Sequence, residues 1–243
     1  MTVSLFVPCY IDQLWPSAAA SMARVLRRVE VDIEYRPAQT CCGQPAFNAG
    51  HFAEARDVAE AFVHVFRGAD VIVSPSGSCV AMVKRRYPAL FAGHPLLEEA
   101  CAIGDRMYEL SQFLVDVLGV DKLGAELHRR AVFQDGCQSL RELGIHDQPR
   151  RLLRSVRGLT VAPLDHSGSC CGFGGLFATR FGALSAAMAD ETIQSALARK
   201  AECIISTEAS CLLHLRGRIE RRKLGIETMH LAEVLATREG ARA

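Results

Sequence analysis

The chain has 243 residues, enough for one large domain or two of about 120, with a proper core in either case. Its 28 Lys and Arg against 27 Asp and Glu leave a formal charge of +1, which argues against nucleic acid or an anionic membrane as partner. With 49% apolar and 23% charged residues, no apolar run near the roughly 18 that span a bilayer, and no basic start to Met1–Leu14, it reads as a globular cytoplasmic protein without membrane insertion.

In chain order, Val3 to Val7 is an apolar run that reads as a strand and leads to Cys9. A helix is predicted from near Pro16 and Ser17, with Met22, Val25, Leu26 and Val29 on one face. A strand, Val31 to Tyr35, then enters the turn TCCGQPAFNAG (40–50). A longer helix follows, with Phe52, Ala55, Ala59, Phe62 and Phe66 as its apolar stripe, and a third strand, Val71 to Val73, leads to Cys79. The second half repeats the series: strand Ala131 to Phe133 before Cys137, a helix from near Pro149 with Leu152, Leu153 and Val156, and strand Leu159 to Pro163. Then come SCCGFGGLFAT (169–179), a helix with the stripe Phe177, Phe181, Leu184 and Met188, and strand Cys203 to Ile205 before Cys211.

The chain therefore matches itself. VSLFVPCY (3–10) resembles AVFQDGCQ (131–138), and the two CCG blocks coincide. GADVIVSPSGSCVAM (68–82) resembles KAECIISTEASCLLH (200–214), and MYELSQFLVDVLG (107–119) resembles TMHLAEVLATREG (228–240). Matched blocks in one order mean an internal duplication. Strands alternating with helices predict an α/β fold of two half-domains, 1–124 and 125–243, each a small parallel sheet with flanking helices, related by pseudo-twofold symmetry.

Ten cysteines in a chain without an export signal read as metal ligands or catalytic thiols, since the cytosol keeps thiols reduced. Cys9, Cys79, Cys137 and Cys211 each follow a strand, and Cys41, Cys42, Cys170 and Cys171 sit in loops between a strand and a helix. Ligands collect at the carboxyl ends of strands in an open α/β sheet, so the four cysteines of each half should converge. Gly43 and Gly172 permit the sharp turns, and the helix after each triplet would aim its positive end at the sulfurs. Cys101 and Cys203 lack a cysteine partner in the other half and read as small packed residues. Four thiolates suit zinc or an iron-sulfur cluster. Zinc usually draws on CxxC knuckles, and adjacent cysteines crowd a single ion but can serve different irons, so an iron-sulfur cluster is favoured with zinc as the alternative.

SLFVPC, TCCGQPAFNAG, VSPSGSC, YEL with FLVDVLGV, CCGFGGLF and MHLAEVL together resemble the lactate-utilization protein A family. The paired CCG blocks are also similar to the cysteine-rich domain found in heterodisulfide reductase and in the iron-sulfur component of glycolate oxidase. This resemblance implies a cytoplasmic iron-sulfur protein that works with two companions, another iron-sulfur protein and a third subunit, to oxidise L-lactate to pyruvate. The fuller form of the motif ends in CxxC and feeds a noncubane cluster with five cysteines. Here Ser76 and Glu208 stand three residues before Cys79 and Cys211, so each half offers four thiolates. One or two 4Fe-4S clusters are the simplest expectation, on Cys9, Cys41, Cys42 and Cys79 and on Cys137, Cys170, Cys171 and Cys211. A Ser76 or Glu208 oxygen completing an iron is a poorer fit, because hard oxygen replaces thiolate badly.

His166, close before Cys170, reads as a loop residue bonded to backbone or water, with proton delivery or bonding to the cluster as its sharper role. Asp135 has no acidic counterpart before Cys9 and is no shared ligand. Arg150, Arg151, Arg154 and Arg157, and Arg216, Arg218, Arg221, Arg222 and Lys223, read as solvated helix faces or as a docking patch for an acidic redox partner. No glycine-rich phosphate loop and no Ser-His-Asp pattern occurs, so nothing marks a nicotinamide, flavin or ATP site, and the chain alone is incomplete as a lactate dehydrogenase. Three roles follow: an electron-transfer subunit, thiol or disulfide redox catalysis at a cluster, or a zinc-bound scaffold.

Overall fold

The computed structural model describes residues 1–238; the last residues of the fourth repeat block, 239–240, and the end of the expected second half-domain lie outside the described residues. Two four-stranded, all-parallel sheets carry the fold, with the same strand order in each. In the first, β1 (Thr2–Leu5) lies between β2 (Asp32–Tyr35) and β3 (Val71–Ser74), and β4 (Met107–Glu109) pairs outside β3. In the second, β5 (Glu126–Phe133) lies between β6 (Arg157–Ala162) and β7 (Cys203–Ser206), with β8 (Glu227–His230) outside β7. Val3 stands beside Val71 in one sheet as Ala131 stands beside Cys203 in the other, so the duplication extends to register.

Parallel neighbours need crossovers, and helices supply them. In the first half α1 (Cys9–Leu14) and α2 (Pro16–Arg28) join β1 to β2, and α3 (Gln44–Asn48) and α4 (Phe52–Phe66) join β2 to β3. α5 (Gly77–Ala81), a π-helical turn (Met82–Arg86), α6 (Tyr87–Leu90) and α7 (Leu97–Asp105) lead to β4, and α8 (Leu110–Gln112) with a second π-helical turn (Phe113–Val117) closes the half. The second half carries α9 (Cys137–Leu143), α10 (Asp147–Arg154), α11 (Leu176–Arg180), α12 (Gly182–Ala198), α13 (Ala209–Arg221) and α14 (Leu231–Ala236). Pro16 at its first turn and Arg27 and Arg28 at its last suit α2 to its own dipole, and it buries Met22, Val25 and Leu26 as their spacing predicts.

Two readings are corrected. Each sheet has a fourth strand where periodicity showed three; β4 and β8 run straight into α8 and α14 with no turn residue between, so nothing in the sequence divides strand from helix. The stripe Phe177, Phe181, Leu184 and Met188 is not one buried face: the helix breaks at Phe181, where φ is −125°, and Phe181 and Leu184 are exposed. The face that α12 buries is Ser185, Ala189, Thr192, Ile193 and Ala196. Phe52 is likewise exposed at the start of α4, while Ala55, Ala59, Phe62 and Phe66 are buried.

One core joins the halves: Val3, Leu26 and Phe113 pack in the same cluster as Phe133, Leu152 and Leu231. α2 lies against α14 at this seam. Contacts across the seam are reciprocal, α5 on α9 and α1 on α13, as an approximate twofold requires. Among the described residues no helix is long and apolar enough to cross a membrane.

Candidate metal centre

Each half brings its four paired cysteines into one chain of sulfur contacts. Cys9 is the first residue of α1 and Cys137 the first of α9, directly beyond the central strands β1 and β5. Cys79 and Cys211 hold matching places in the first turns of α5 and α13, in the segments Gly77-Ser78-Cys79 and Ala209-Ser210-Cys211. The CCG loops arrive between them. Cys9 Sγ lies 3.7 Å from Cys41 Sγ, and Cys42 touches both Cys41 and Cys79. Cys137 touches Cys170, Cys170 touches Cys171, and Cys171 Sγ lies 2.6 Å from Cys211 Sγ, too far for a disulfide bond. Cys101 and Cys203 stay out of both chains, and Cys203 is packed in β7 as expected.

The glycines close these loops. Gly43 has φ +84° and Gly172 +91°, and a Cβ would meet Ala55 O at 2.9 Å in the first loop and Ser185 O at 2.5 Å in the second. Their amides donate to Cys41 Sγ and Cys170 Sγ, both at 3.4 Å. Gln39 ties the first loop to the end of β1 by accepting from Val7 N at 2.7 Å, and Gln134 Nε2 donates to Ser169 O in the second at 2.9 Å.

One thiolate settles in each half. Thiol donors Cys42 and Cys9, helped by the Gly43 amide, pull Cys41 down to about 3; Cys137, Cys171 and the Gly172 amide pull Cys170 down to about 2. Their bonded neighbours Cys9, Cys42, Cys137 and Cys171 are pushed up, first because each keeps the proton it donates to a neighbouring sulfur, and then because a second charge there is poorly solvated and repelled by the first. Full ionisation of either set therefore needs a cation among the sulfurs. That soft donor set fits an iron-sulfur cluster or zinc. The sulfurs form rows, however, and among the described residues no three Cys, His, Asp or Glu side chains make a ready shell for a single ion.

Segments 3–84 and 131–216 each match the model of the CCG cysteine-rich domain, and together they contain all eight of these sulfurs. Lactate utilization protein A of Geobacillus kaustophilus is 44% identical over 239 residues, covering 98% of this chain and all of that relative. The Anoxybacillus flavithermus protein of the same name is 42% identical over 97% of this chain and 99% of its own length. The chain belongs to the lactate-utilization protein A family. For this family member a solved structure shows the fold alone: a hypothetical protein from Helicobacter pylori superposes with a TM-score of 0.65 at 9% identity, over all of this chain and 49% of that one.

The family member's two sites differ in surroundings. The second opens on a cavity of about 350 Å³, lined by Cys137, Cys170, Cys171 and Cys211 and closed from the first half by Tyr10 and Gln44. Tyr10 stands edge-on to Phe173 at 5.6 Å, and Gln44 Nε2 donates to Gln138 Oε1 at 3.0 Å. None of these four was legible in sequence, because the crossing of the halves puts them together. Ser76 and Glu208, weighed as oxygen ligands, are committed to a different task. Buried Glu208 accepts from Ser78 N at 2.7 Å, Ser78 Oγ and Ser139 Oγ at 2.9 Å, and Ser76 Oγ at 3.2 Å, pinning the start of α5 to α9. His166 is exposed beside Glu191 and takes the loop role; the histidine that reaches the second CCG loop is His214 on α13, with Nε2 3.2 Å from Ser185 Oγ. Asp135, two before Cys137, is buried in a two-pronged ion pair with Arg150 at 2.8 and 2.7 Å.

Proposed function

We propose that the chain is an iron-sulfur electron carrier in lactate utilization. Cys9, Cys41, Cys42 and Cys79 hold one 4Fe-4S cluster and Cys137, Cys170, Cys171 and Cys211 a second, between companion proteins that oxidise L-lactate to pyruvate. The observation that carries this reading is the row of four touching sulfurs in each half. A row suits a cofactor with several metal atoms, each taking one thiolate, better than a single tetrahedral ion. The relatives' name supplies the metabolic setting. When bound, such a cluster accepts and returns single electrons.

The chain's own residues shape how that happens. The Gly43 and Gly172 amides donate to sulfur and favour the more electron-rich state. Buried Cys42, Cys79, Cys171 and Cys211 shut water from one side of each site, while half-buried Cys9, Cys41, Cys137 and Cys170 leave the other side within reach of a partner. Another iron-sulfur protein and a third subunit are the partners this reading requires, the reducing cytoplasm is its compartment, and 124/125 is its boundary between halves. Anaerobic reconstitution with iron and sulfide tests it: a brown protein whose visible absorbance bleaches with dithionite is expected, and a colourless one, or stoichiometric zinc without sulfide, overturns it.

The cavity at the second site favours a second reading, in which a disulfide there takes two electrons, supplied one at a time by a reduced electron-carrier protein, and two protons to give two thiols. Disulfide turnover by the isolated chain, lost in Cys171→Ala, would select it.

A further inference from the structure

Several basic side chains of the second half are neutralised on the protein itself. Arg150 pairs with Asp135, Arg151 with Asp121, Arg157 with Glu126, and Arg218 and Arg222 with Asp190. In a different group of arginines only one has a carboxylate partner among the described residues, Arg216 with exposed Glu220 at 3.9 Å. Away from the cysteines, the seam where α2 meets β8, α13 and α14 opens into a cleft of about 930 Å³, at the upper end of small-molecule sites. Arg24, Arg27 and Arg28 enter it from the first half, Arg216 and Arg238 from the second.

Among the described residues, the two carboxylates that line this cleft are occupied. Glu233 accepts from Trp15 Nε1 at 2.9 Å, Ser17 Oγ at 2.6 Å and His230 N at 2.9 Å, and Glu227 pairs with Arg129 at 2.8 Å. The guanidinium groups are far less satisfied. Arg27 has no hydrogen-bond or ion-pair partner among the described residues, and Arg24 donates to Ser21 Oγ alone. Arg216 lies 4.7 Å above the Trp15 ring, and its one carboxylate partner, Glu220 at 3.9 Å, is exposed. Arg28 gives its terminal nitrogens to the carbonyls of Leu123, Leu235 and Ala236, but its buried Nε has no partner among the described residues. Thr228, also in the wall of the cleft, likewise keeps a buried Oγ1 without a partner among the described residues. Buried donors without acceptors are costly, and clustered cations repel one another; an anion relieves both. Burial and the charges of Arg238 and Arg24 indeed lower the proton affinity of Arg28.

We infer that this cleft is a binding site for a small multivalent anion bearing phosphate or carboxylate groups, held by guanidinium groups from both halves. Guanidinium forks match either group with paired hydrogen bonds. An anion seated there ties α2 to α14 and so bridges the seam.

Isothermal titration calorimetry of the full chain with inorganic pyrophosphate and, separately, with citrate tests the site. Saturable one-to-one binding of at least one probe is expected, weakened about tenfold or more in the exposed double variant Arg24→Gln/Arg27→Gln and unchanged in Arg221→Gln on α13 outside the cleft. Tighter pyrophosphate binding identifies a phosphorylated ligand, and tighter citrate binding a polycarboxylate. No saturable heat with either probe, binding that survives in the double variant, or equal weakening by Arg221→Gln would each overturn the inference.

Discussion

Gly172 carries the tightest constraint at a CCG loop, since its φ is +91° and any Cβ would fall 2.5 Å from Ser185 O and 3.0 Å from Met188 Cβ. Gly172→Ala is expected to cost about 2–3 kcal/mol in denaturant unfolding and to lower iron content in the second half, because strained backbone and clash add. Glu208 is the second decisive residue. Removing it strands four donors at the seam, three of them serine hydroxyls, so Glu208→Ala should destabilise by about 2–3 kcal/mol. Ser76→Ala, which loses one 3.2 Å bond, should cost about 1 kcal/mol in the same measurement. The cysteines and glycines were legible in the sequence because the duplication sets each beside a copy of itself. Glu208 was not, since its partners Ser139 and Ser78 lie 69 and 130 residues away and Ser76 occupies its place in the other half.

Strand and helix positions were readable where an element is long or has a pronounced stripe, as in α2 and α4, and failed where tertiary packing overrules apparent amphipathicity. In α12 the aromatic side of the sequence faces outward and small residues face in, where Ala189, Ile193 and Ala196 share a core with Val132 of β5 and Leu212 and Leu215 of α13. Phe181→Ser should therefore change stability by less than about 0.5 kcal/mol, while Ile193→Ala costs about 2–4 kcal/mol, both from urea unfolding. The short strands β4 and β8 end on a matched pair of buried caps. Glu109 accepts from Ser111 N, Ser111 Oγ and Gln112 N, and His230 Nδ1 accepts from Ala232 N. Burial pushes Glu109 from 4.5 up to about 7, so between those values the folded chain holds a proton that the unfolded chain has lost, and stability falls as pH rises. His230, held neutral by burial, gives the opposite slope below 6.5 in wild type and variant alike. The difference between them is thus the readable quantity: Glu109→Gln should match wild type near pH 4.5 and exceed it by on the order of 2 kcal/mol at pH 8.

At the scale of the whole molecule, duplication explains why two equivalent sulfur sets exist, and the crossed contacts explain why they are not alike. α1 packs on α13 and α5 on α9, so each set is built against the opposite half, and the second set opens on the cavity closed by Tyr10 and Gln44. Sequence periodicity reports local burial and cannot report such crossings, which is why the half-domains were readable and the residues at their seam were not. Iron and acid-labile sulfide counting on the anaerobically reconstituted chain, with Cys42→Ser and Cys171→Ser alongside, tests the four-sulfur sets most directly. About eight iron and eight sulfide per chain are expected, with about half of each in either variant and a different electron paramagnetic resonance signal surviving in each. Wild-type chain that takes up no iron and sulfide, or a full complement retained in both variants, would contradict two independent sulfur sites.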